Sequence, residues 1–61
     1  MMDEKTLKDL IEEMELRVVS FKCHRDFYTK KDDLFNYWDG KRNEAAFMVE
    51  KLTAILQGES Q

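Results

Sequence analysis

Cys23 and His24 are the pair in this chain that could act as nucleophile and base, and they are adjacent in sequence. Neighbours on a helix are turned by about 100° from one another, so thiol and imidazole point apart and proton transfer between them is awkward. A partly covered thiol beside a solvated imidazole is the simpler reading. His24-Arg25-Asp26 repeats three letters of the protein-kinase catalytic loop, but nothing else of a kinase fits in 61 residues, and the match is coincidence. Glu12, Glu13 and Glu15, and the pair Asp32-Asp33, could exchange protons or hold a divalent cation. No element is left over to enclose them, so helix capping and a solvated face account for them better. One His and one Cys fall short of the four ligands of a structural zinc site. The sequence therefore predicts no catalytic residue, no metal and no cofactor, hence a protein that is not an enzyme.

The second chemistry to weigh is binding. Lys22, His24, Arg25, Lys30, Lys31, Lys41 and Arg42 lie towards the middle of the chain with Tyr28, Tyr37 and Trp38 among them. Cations interleaved with aromatics can hold single-stranded nucleic acid by charge and stacking, and Lys30, Lys31, Lys41 and Arg42 form the candidate basic patch. Asp26, Asp32, Asp33 and Asp39 cancel much of that field, and the formal net charge is −3. Nucleic-acid modules carry a basic excess, so the balance argues against a nucleic-acid partner.

The elements that must position these residues are helices. There is no proline, there are two glycines, and 38% of residues are charged, which favours helix nearly throughout and gives β-turns little to work with. Helix one is expected over about 4–29, starting near Asp3 or Thr6, where Asp3 can cap and Thr6-Leu7-Lys8-Asp9 resembles a capping box. Leu7, Ile11, Met14, Val18 and Phe21 alternate at four and three residues with Leu10 on the flank, a heptad seam that Arg25 and Tyr28 prolong. Helix two is expected over about 32–57, its stripe made of Leu34, Trp38, Ala45, Met48, Val49, Leu52, Ile55 and Leu56. Lys30-Lys31 suits the negative end of one helix dipole and Asp32-Asp33 the positive end of the next, with Thr29 to Asp32 as a second capping box. The competing break is Asp39-Gly40, a stronger turn dipeptide; the unbroken phase of the stripe favours the earlier one. Gly40 then lies inside a helix, which calls for a packing reason such as close approach of another backbone. Gly58 is expected to cap the end, with Glu59-Ser60-Gln61 as a frayed tail.

Two helices of about 25 residues joined by a short connection pack antiparallel, so residues 1–61 read as a single all-α domain, a coiled-coil-like two-helix hairpin. Pairing by position sets Leu7 towards Ile55, Met14 towards Met48, Val18 towards Ala45 and Tyr28 towards Leu34, with Trp38 filling the end near the connection. Apolar residues remain unused. Leu16, Val19, Cys23 and Phe27 lie opposite the seam of helix one, and Phe47 lies on the back of helix two. A chain of this length has a marginal core, and a single cysteine makes no internal disulfide. These five residues are therefore the candidate interface, either for a homodimer that completes a four-helix bundle or for an unidentified protein partner. The N-terminus has no apolar run that would make a secretory signal, and no stretch spans a membrane. With a free cysteine, that points to the cytoplasm.

The run Tyr37-Trp38-Asp39-Gly40-Lys41, followed by Ala45-Ala46 and Val49-Glu50-Lys51-Leu52, resembles the second helix of small helical-hairpin proteins encoded by phages and prophages of Gram-positive bacteria. There an aromatic pair, a Gly-Lys step and a small residue precede a leucine-rich end. The resemblance covers about half of the chain and brings no catalytic residue with it. It implies a virus-encoded accessory protein in the host cytoplasm, either an inhibitor or regulator of a host protein or a minor assembly or scaffold factor.

Overall fold

The computed structural model describes residues 3–58, which form two helices packed against one another as a hairpin: α1, Glu4–Asp26, and α2, Asp33–Leu56. Asp3 caps α1. Its carboxylate accepts a hydrogen bond from the Thr6 N–H at 2.7 Å, and its carbonyl accepts from the Leu7 N–H at 3.0 Å. Thr6 is thus the donor in the first turn and not the start of the helix. The backbone and side-chain hydrogen bonds of Thr6 hold the Asp3 carboxyl below the ordinary carboxylate range.

Helix α1 stops at Asp26, three residues short of the expected end at 29. The N–H groups of Phe27 and Tyr28 bond to the carbonyls of His24 and Arg25 at 3.3 and 3.1 Å, a tightened last turn that ends the i→i−4 ladder. The connection covers residues 27–32. The second capping box does not form: Asp32 is itself the cap, its carboxylate accepting from the Leu34 N–H at 2.8 Å, while its own N–H donates to the Thr29 carbonyl at 3.0 Å. At the far end Gly58 has φ +76°, and its N–H bonds to the Ile55 carbonyl at 3.0 Å. A glycine in the left-handed region just past the last turn is the expected stop. Residues Glu59 to Gln61 lie outside the described residues.

Helix α2 runs unbroken through Asp39-Gly40, so the earlier of the two candidate breaks is the one used. The packing reason expected for Gly40 is not found among the described residues. The residue is exposed, and a Cβ built there meets no atom within 4 Å.

The α1 seam is as expected: Leu7 is buried, and Ile11, Met14, Val18, Phe21, Arg25 and Tyr28 are half-buried at four- and three-residue steps. The α2 seam matches the expectation in part. Trp38, Ala45, Val49, Leu52 and Leu56 are covered as expected, and Phe35, Asp39, Arg42, Ala46, Thr53 and Ala54 are half-buried beside them. Leu34, Met48 and Ile55, expected in the seam, are 46%, 42% and 49% exposed and form the row next to it. The expected pairings of Tyr28 with Leu34 and of Leu7 with Ile55 are therefore not core contacts. Met14 and Met48 do line one groove together with Phe21 and Ala45.

The core is thin. Leu7, Ala45 and Leu52 are the buried apolar side chains among the described residues, and the molecule measures 42 × 21 × 14 Å, a single layer of two helices. Trp38 closes the connection end as expected, stacked on His24 at 4.6 Å and on Phe21 at 5.9 Å, with Tyr37 edge-on at 5.0 Å.

Candidate interaction surfaces

The outer face of α1 lies opposite its seam and carries Leu16, Val19 and Phe27, which are 65%, 59% and 82% exposed. Cys23 lies on the same face as a free, exposed thiol. Towards the connection this face ends in an open depression lined by Cys23, His24, Asp26 and Phe27, and Phe27 is held edge-on against Tyr28 at 5.5 Å. Phe47 is also exposed, at 55%, but stands two residues from buried Ala45 and five from buried Leu52. That places it on the outer side of α2, facing away from α1, with the Lys51 ammonium 5.1 Å from its ring centroid. The five candidate residues thus form one patch of four and a separate fifth.

The sequence reading missed a third surface, the exposed row of α2 that holds Leu34, Met48 and Ile55. Beside it a groove of about 170 Å³ runs between the helices, lined by Met14, Arg17, Phe21, Lys41, Glu44 and Met48. The spacing of Leu34, Met48 and Ile55 was legible. Its assignment to the core depended on the phase of α2 against α1, which one helix alone does not define.

An ionic cluster lies on the opposite flank of the seam. The Arg25 guanidinium donates through Nη1 to Asp39 Oδ1 at 2.9 Å and through Nε to Asp26 Oδ1 at 2.9 Å, and lies 5.4 Å from the Phe35 ring centroid. These bonds, the one to Asp39 foremost, raise the Arg25 pKa above its ordinary value. Arg42 is half-buried beside them. Its guanidinium donates to the Asn43 side-chain oxygen, while its Nε lies 3.9 Å from Asp39 Oδ1, buried and without a hydrogen-bond partner. A carboxylate set between two guanidiniums thus crosses the seam.

The residues of the candidate basic patch lie in different settings. Lys30 and Lys31 are exposed in the connection, Lys41 lies over the Tyr37 ring at 5.5 Å on the groove side, and Arg42 is engaged with Asp39 and Asn43. Of the candidate carboxylates, Glu13 faces Arg17 at 3.9 Å, Asp32 caps α2 and Asp33 occupies its first turn, while Glu12 and Glu15 are exposed. His24 is stacked on Trp38, and Cys23 is a free, exposed thiol. Among the described residues no three His, Cys, Asp or Glu side chains gather as a metal ion would need, and no helix is long and apolar enough to cross a membrane. No family model, curated protein or solved structure matches the chain.

Proposed function

We propose that this protein is a small non-enzymatic protein–protein interaction module, a helical hairpin that offers the outer face of α1 to another protein. The observation that carries the reading is the line of Leu16, Val19, Cys23 and Phe27, apolar, exposed and spaced to lie along one helix face. Such a face on a thin hairpin is best used as one half of a helix-face contact. The same module self-associates into a four-helix bundle, which supplies the core that two helices lack. Together with the resemblance of α2 to phage-encoded hairpins, this makes it an accessory protein that binds and inhibits or regulates a host protein.

The test is a paired capture experiment. Immobilised wild-type protein and a Leu16→Glu/Phe27→Asp variant, both checked for helix content, are exposed to the same bacterial lysate and the retained proteins identified by mass spectrometry. A protein held by the wild type and released by the variant is expected. Identical retained sets would remove the α1 face from consideration.

A further inference from the structure

We draw no further inference here: the strongest candidate, the exposed row of Leu34, Met48 and Ile55 on α2 beside the groove between the helices, is an unpartnered apolar face, and nothing in the structure shows what covers it.

Discussion

Replacing Gly40 by Ala should stabilise the protein, and the size of the gain follows from the geometry. Gly40 lies well inside α2, is exposed, and a methyl group added there meets no atom within 4 Å. No contact is lost and none is gained. What changes is the unfolded chain, which has fewer conformations to lose when alanine replaces glycine, together with the better shielding of the helix backbone; the two amount to about 0.5–1 kcal/mol. For 61 residues at ~0.05–0.15 kcal/mol each, total stability is about 3–9 kcal/mol, so the gain is a substantial fraction of it. In a domain of this size it should raise Tm by roughly 3–8 °C. Thermal unfolding followed by helical circular dichroism, at one fixed protein concentration, reads the shift. The urea midpoint should rise with an unchanged slope. A lower Tm would refute the reasoning. It would mean either that α2 is broken at Asp39-Gly40 or that another chain's backbone approaches Gly40 too closely for a methyl group.

Three other substitutions probe the rest of the hairpin. Leu52→Ala removes one of the three buried apolar side chains among the described residues and should cost about 2–5 kcal/mol, enough to leave much of the protein unfolded without ligand or partner; loss of helical signal at ambient temperature checks it. Arg42→Leu takes a buried, unpartnered Nε out of a seam position and leaves the bond between Arg25 and Asp39 in place. It should raise the urea midpoint by about 1 kcal/mol equivalent, since an unsatisfied buried donor costs at least that much. For Asp3 the sign follows from its pKa, which is lower folded than its ordinary 3.8. Between the two values the unfolded chain binds more protons, so the cap contributes fully above the ordinary value and is lost as pH falls through the depressed one. Asp3→Asn keeps a capping oxygen but does not titrate, so the difference in Tm between the two proteins across the acid range isolates this contribution.

The hairpin was legible because each helix carries its own signals. The heptad from Leu7 to Phe21, the caps Asp3 and Asp32 and the stop at Gly58 are local patterns, and local patterns survive packing. The edge of the α2 seam was legible only in part, for an equally physical reason. Leu34, Met48 and Ile55 share a helix face with Trp38 and Leu52 closely enough that a count of apolar residues accepts them as core. Phe35, Asp39 and Arg42 are covered on the flank where Arg25 of α1 bonds to Asp39, fourteen residues apart and on different helices. A polar pair across an interface has no periodicity to betray it. The end of α1 at Asp26 was misplaced because no Gly or Pro marks it. Of the candidate surface, the outer face of α1 could be read from spacing alone. Phe47 could be read the same way, on the back of helix two, and it stands exposed on the outer side of α2.

Trp38 gives the hairpin a built-in probe. It is the single tryptophan of the chain and is packed between Phe21 and His24 at the connection end, so its fluorescence reports on that end alone, while helical circular dichroism averages over the whole length. The opposite end, held by Leu7 and Leu52, is silent to fluorescence. If the two signals change together on heating, the hairpin melts as one unit; if the dichroism falls first, it unzips from the termini towards the connection. The placement of one aromatic ring thus makes the cooperativity of this fold measurable without a label.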